Sequence, residues 1–229
     1  MWAKLNSDKD TIEEIIVHPK TMTVDGITHP RTLFSLWTDA ERKAIGIVPV
    51  TTSGVSLDSK YYIEQNESFA ITGDKNSVVR TIGQKAADKN LADVNEVWTQ
   101  GDIDGGYAPD GTSANDPKLD LDGNQIVTKG LKTIAKQKAD VNANSLLDGF
   151  NWLIARKVTA DTAIPSAVVT YMAAVRTAHA SICTAIDNAS DMDAFKVLHT
   201  TEYNEDGSVK TIAKVNDWPD DSGVEGYRR

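Results

Sequence analysis

The sequence predicts an α+β protein: a β-rich N-terminal part with short helices, an acidic Gly/Asp linker, and a C-terminal helical hairpin with a small β-hairpin. Three observations lead there. Up to residue 98, short β-prone runs alternate with glycine-containing turns. From Thr99 to Gln125, six aspartates and five glycines stand against a single lysine, Lys118. Beyond Gly130, apolar residues recur every three or four positions, the spacing of one face of a helix. The boundaries implied are 1–98 for the β-rich domain, 99–125 for the linker and 126–229 for the helical domain.

Within the first part, Ile12, Ile15, Ile16 and Val17, then Met22 and Val24, read as strands, and Asp25-Gly26 before Ile27 is a tight-hairpin signal because both residues tolerate positive φ. Leu33 to Trp37 is an apolar run leading into Thr38-Asp39-Ala40-Glu41, where Thr and Glu form a capping box that satisfies free backbone donors at a helix start. Gly46 is placed to end that helix in a left-handed cap, and Ile47-Val48-Pro49-Val50 reads as an extended edge segment. Val55 to Ile71 suits one or two strands, and Gln84 to Val94 carries a weak helical pattern. Asp and Gly dominate the 99–125 segment, whose few apolar residues cannot repay its ordering, so it reads as a flexible or surface-laid linker.

The densest apolar pattern runs from Ser145 to Met192. Leu131, Ile134, Ala135, Ala139, Ala143 and Leu147 form a stripe that leads into it. Gly149 interrupts the helix before Trp152, Leu153 and Ile154, and Pro165 suits the first turn of a second long helix. Val168, Tyr171, Met172, Val175, Ala178, Ile182, Ala185 and Ile186 share one side of that helix. Ser190 and Asp193 suggest a capping-box-like start for a short helix burying Met192, Phe195 and Leu198. Asp206-Gly207 marks a last hairpin.

Composition narrows the function classes. Hydrophobic residues make up 40% and charged ones 25%, ordinary for a folded protein that buries a core. A formal net charge of −9 repels duplex nucleic acid and anionic membranes, so neither is expected as a partner. No basic leader and no run of about 18 apolar residues appears, so the chain is expected to be soluble and unprocessed. Cys183 is alone and reads as a small core residue.

Candidate sites are sparse. Asp120, Asp122 and Asn124 match the first half of a calcium loop, but Gln125 stands where the loop needs Gly and Leu131 where it needs a bidentate Glu. Asp102 and Asp104 beside Gly105-Gly106 make an equally incomplete set. His18, His29, His179 and His199 show no ligand spacing, and no nucleophile elbow, phosphate loop or dinucleotide fingerprint occurs. No catalytic residue, metal or cofactor is therefore assigned. For contacts with other proteins, Trp37, Trp152 and Trp218 are the candidate aromatic anchors. Lys129, Lys132 and Lys136 form a row able to meet an acidic partner or the chain's own aspartates.

Two stretches carry a resemblance. Leu33 to Val50, LFSLWTDAERKAIGIVPV, is similar to a pattern of apolar residues, capped acidic helix and Gly-Ile/Val-x-Pro-Val found in tail-fibre-associated proteins of tailed bacteriophages. Ser145 to Ile186, beginning SLLDGFNWLIARKVTADTAIPSAVVTYMAAVRTA, resembles the Leu-Leu, Asp-Trp, Arg-Lys, Pro, Tyr-Arg, Val-Arg series of tail fibre assembly proteins and related fibre components; Trp218-Pro219 also fits. Asn151 replaces the usual Asp before Trp152, and Met172 replaces the usual Arg after Tyr171, which removes a bidentate donor for a carboxylate. The resemblance implies a non-catalytic virion protein of the tail, made in the host cytoplasm. It would be a fibre component or fibre–tail adaptor that forms homo- or hetero-oligomers with other tail or fibre subunits. The alternative it implies is an assembly chaperone that leaves before the particle is complete.

Overall fold

The computed structural model describes residues 1–229, which divide into two units, 1–88 and 89–229. The first unit contains β1 (Trp2–Leu5), β2 (Ile12–Ile16), β3 (Met22–Val24), β4 (Ile27–His29), α1 (Leu33–Leu36), α2 (Asp39–Ala44), β5 (Ile47–Ser53), β6 (Tyr62–Glu64), β7 (Ser68–Ile71), β8 (Val78–Thr81) and β9 (Lys85–Asp88). Five strands form one sheet in the order β2-β1-β5-β8-β7, antiparallel except where β5 runs parallel to β8. Alternation of side chains along the strands gives the sheet two apolar faces. Ile16, Met22, Val24, Leu33, Phe34 and Ile47 fill one cluster, and Ala3, Leu5, Val48 and Val78 the other.

Local signals explain much of this unit. Asp25 and Gly26 both take positive φ, 48° and 78°, in the tight turn between β3 and β4. Thr38 Oγ1 accepts from the Glu41 amide at 3.3 Å while Glu41 accepts from the Thr38 amide at 2.7 Å, which completes the capping box of α2. Arg42 then reaches back, donating to the carbonyls of Phe34 at 3.1 Å and Trp37 at 2.6 Å, so one guanidinium ties α2 to the end of α1.

Two expectations change. Ile47–Val50 does not lie at an edge: β5 is the middle strand, paired with β1 through Ile47–Pro49 and with β8 from Val50 onward. Pro49 is tolerated because it falls at the handover between the two ladders, where its missing N–H leaves no bond unmade. Residues 84–94 are not helical. Lys85–Asp88 pairs antiparallel with Tyr62–Glu64, and a weak local preference yields to a partner strand.

The second unit holds β10 (Val94–Asn95), α3 (Gln100–Asp104), β11 (Val127–Thr128), α4 (Leu131–Asp148), α5 (Asn151–Ala160), α6 (Ser166–Asn188), α7 (Met192–Leu198), β12 (Glu202–Tyr203) and β13 (Val209–Thr211). Its start at residue 89, ahead of the expected boundary, has a physical cause at the head of α4. The amides of Leu131 and Lys132 donate to the carbonyls of Asn90 at 2.9 Å and Leu91 at 3.0 Å, and the Gly130 amide donates to Asp93 at 2.8 Å. Residues 90–93 thus satisfy donors that a helix start leaves free. A Cβ on Gly130 would lie 2.3 Å from the Ala92 carbonyl, so only glycine permits this approach.

Helices α4 and α6 pair antiparallel, as the partners Lys136 with Asp187 and Asp140 with His179 require. The face α4 buries is made of Ala135, Ala139 and Ala143, small residues that let α6 come close, whereas Ile134 sits off this face and is half exposed. Below them Phe150, Leu153, Val168, Tyr171, Met172 and Val175 form the core, closed by Val224. Arg228 packs on that core: its guanidinium lies 5.5 Å from the Phe150 ring and donates to the Tyr171 hydroxyl at 3.2 Å while pairing with Asp221 at 2.9 Å. The cap of α7 is Asp191, accepting from the Ala194 amide at 2.8 Å, one residue later than the expected Ser190, whose hydroxyl supports Asp191 instead.

Candidate interaction surface

In the second unit, from Lys89 to Lys129, not one side chain is buried, a run of 41 residues without a core of its own. It is nevertheless built. Thr99 caps α3 in a second capping box, its hydroxyl accepting from the Asp102 amide at 3.1 Å and its own amide donating to Asp102 at 3.0 Å. Lys118 pairs with Asp102 at 3.2 Å and lies 4.7 Å over the ring of Trp98. The side-chain amide of Gln125 donates to the carbonyls of Glu96 at 2.7 Å and Lys118 at 3.1 Å, and short bridges join Val97 to Pro117 and Leu119 to Gln125.

The 99–125 segment lies on the surface, held by hydrogen bonds to its own neighbours. Four of its six carboxylates, those of Asp102, Asp104, Asp116 and Asp120, accept hydrogen bonds from the local chain, which relieves their mutual repulsion. Asp104 accepts from Gln100 at 2.8 Å and Asp116 from the Ser113 amide at 2.7 Å. Asp120 accepts from the amides of Asp122 at 2.9 Å and Asn124 at 2.8 Å and from the Asn124 side chain at 3.2 Å. Both Asp120 oxygens are engaged, so the half calcium loop is a hydrogen-bonded turn. Among the outward side chains are four apolar ones: Tyr107, Leu119, Leu121 and Val127 are exposed, Leu121 completely.

Hydrogen bonds from the Thr99 amide and hydroxyl, then from Lys118, hold the Asp102 carboxyl below the ordinary value. Because its folded pKa is depressed, the carboxylate stabilises the cap at neutral pH, and the contribution is lost as pH falls below about 4 and through the folded value. Acidification should therefore shift the Thr99 and Ile103 amide resonances together, with a midpoint below that of an ordinary aspartate. Asp102→Asn should abolish that transition and speed Ile103 amide exchange at neutral pH. An unchanged titration in the variant would assign the proton to another group.

Of the six side chains expected at contacts, five are engaged by their own chain and Lys129 is exposed. Trp37 is half-buried and meets His29 edge-on at 5.2 Å. Trp152 donates to the Tyr227 carbonyl at 2.9 Å, with the guanidiniums of Arg229 and Arg156 at 4.0 Å and 5.0 Å from its ring. Trp218 donates to the Val215 carbonyl at 3.2 Å and packs on the helical core. Lys132 and Lys136 both reach Asp187, one donating to its carbonyl at 2.9 Å and the other to its carboxylate at 2.8 Å. Two cations thus meet the C-terminal end of α6, where carbonyl dipoles favour positive charge. The acid they find lies outside the 99–125 segment. Lys129 stays exposed, acting on Asp93 through its charge.

A cluster escaped the sequence reading. His179 and Cys183 stand four apart on α6, a one-face spacing that was visible. Asp140 joins them from α4, which only the helix pairing reveals. His179 Nε2 lies 2.7 Å from Asp140 Oδ1 and 3.5 Å from Cys183 Sγ. Burial raises the Cys183 thiol, as do the Asp140 and Asp187 charges, against the opposing effect of Lys136. Since one ring nitrogen faces both neighbours, the trio lacks the division of labour of a nucleophile–base–orienter triad, which uses both nitrogens.

No protein-family model, curated protein or solved structure matches this chain. No helix is long and apolar enough to cross a membrane.

Proposed function

We propose that this chain is a non-catalytic structural protein of a bacteriophage tail, a fibre component or the adaptor between fibre and tail, working through contacts with neighbouring subunits. The observation that carries the reading is the coreless stretch from Lys89 to Lys129 of the second unit, whose turns close in local hydrogen bonds while Tyr107, Leu119 and Leu121 face outward. Ordering that many residues costs conformational entropy that their own burial does not offset, and apolar contacts from another subunit would supply the difference. The particular setting, a phage tail, rests on the resemblance of Leu33–Val50 and Ser145–Ile186.

The test is the protein inventory of purified particles from a phage encoding the chain, joined to hydrogen exchange. A virion component is present in fixed stoichiometry, and residues 94–128 exchange more slowly in the particle than in the free protein. Abundance in the lysate with absence from particles would overturn the virion reading and favour an assembly chaperone.

A further inference from the structure

We propose that Asp140, His179 and Cys183 form a binding site for a zinc-class divalent cation that clips α4 to α6. Their ligand atoms, a carboxylate oxygen, an imidazole nitrogen and a sulfur, all lie within 4.8 Å of one another. Around a tetrahedral zinc, the nitrogen–sulfur and nitrogen–oxygen edges are about 3.6 Å and 3.4 Å, from bond lengths of about 2.0–2.3 Å. The His179–Cys183 separation of 3.5 Å already matches the first edge. The second asks Asp140 to open by less than an ångström from its 2.7 Å contact, and Asp140 is exposed, with solvent to turn into.

An ion pair between His179 and Asp140 would not need a third donor on the same ring nitrogen. A metal does, because it replaces the shared proton with a centre that all three atoms can face. The mixed N/O/S set selects for zinc, cobalt or nickel over calcium or magnesium, which prefer oxygen alone. Both α6 ligands belong to one helical face and the third to the facing helix, so coordination joins the two elements that pack through the alanine face of α4. Binding releases the thiol proton to solvent and leaves the imidazole neutral, its remaining proton on Nδ1. Water completes the fourth position. Lys136, held by Asp187, stands on the same side of α4 as Asp140.

Cobalt(II) titrated into the full-length, metal-free protein is the test. We expect one equivalent to bind, with a thiolate-to-cobalt charge-transfer absorption, strong visible ligand-field bands of a four-coordinate ion, and discharge of both by zinc. Cys183→Ser should lose the charge-transfer band. His179→Gln and Asp140→Asn should each weaken cobalt binding by at least about tenfold, the loss that even outer-shell changes bring. Zinc should raise the melting temperature of the wild type and leave that of Cys183→Ser unchanged. A wild-type spectrum without charge transfer would overturn the proposal, as would equal cobalt affinity in the wild type and Asp140→Asn. The last variant changes an exposed position, so it decides the question even if a substitution on α6 impairs folding.

Discussion

Val175→Asp is expected to destabilise the helical unit by more than about 4 kcal/mol, a loss typical of a charge forced into a core without a partner. Val175 has no exposed surface and lies among Phe150, Leu153, Val168, Tyr171 and Met172. No cation stands inside this cluster: the Arg228 guanidinium lies at its rim, already engaged by Asp221 and the Tyr171 hydroxyl. The carboxylate must either take up a proton or pull α6 off the core. Asp191→Ala is the comparison, since it removes the cap of α7 and leaves the core intact, at a cost of about 1 kcal/mol. Thermal unfolding of both variants measures the gap. Equal melting temperatures would mean that the α6 stripe faces water, which the packing forbids.

Gly83→Ala should destabilise the first unit by roughly 3 kcal/mol or more, combining the left-handed backbone cost of about 1–2 kcal/mol with a collision that no side-chain rotation relieves. Gly83 has φ of +73° and an added Cβ would stand 1.9 Å from the Val55 carbonyl oxygen. Gly54 mirrors it, with φ of +89° and a Cβ 2.2 Å from the Ile82 carbonyl oxygen. The two glycines follow β5 and β8, so they let the parallel strands finish in backbone contact. Gly26→Ala is the control: its φ is +78° but nothing lies within 4 Å of the added atom. That variant should lose about 1 kcal/mol, the cost of the backbone alone. Urea unfolding of the transition belonging to residues 1–88 separates them, and equal midpoints would refute the close strand approach.

The contact surface and the proposed metal site place different demands on the molecule. The stretch from Lys89 to Lys129 has locally hydrogen-bonded turns and outward Tyr107, Leu119 and Leu121, which suits it to being covered. Asp140, His179 and Cys183 instead act within the helical pair, so loss of metal binding would leave the outward surface unchanged. Failure of one proposal therefore does not carry the other with it.

What the sequence by itself determined is local. Asp25-Gly26, the Thr38/Glu41 box, Gly46, Gly149 and the Val168–Ile186 stripe each owe their structure to neighbours within a few residues, through allowed φ, a nearby donor or helical spacing. The α+β class followed from those signals. Tertiary structure decided what depends on partners distant in the chain. Pairing with β8 made β5 a central strand, and pairing with β6 made Lys85–Asp88 a strand in place of a helix. Aspartates that looked mutually repulsive found amide donors once the turns closed around them. Lys132 and Lys136 found Asp187, and His179 found Asp140, only because α4 and α6 lie antiparallel. Such contacts depend on the register between elements, and register is set by the packing of whole faces rather than by the residues that meet.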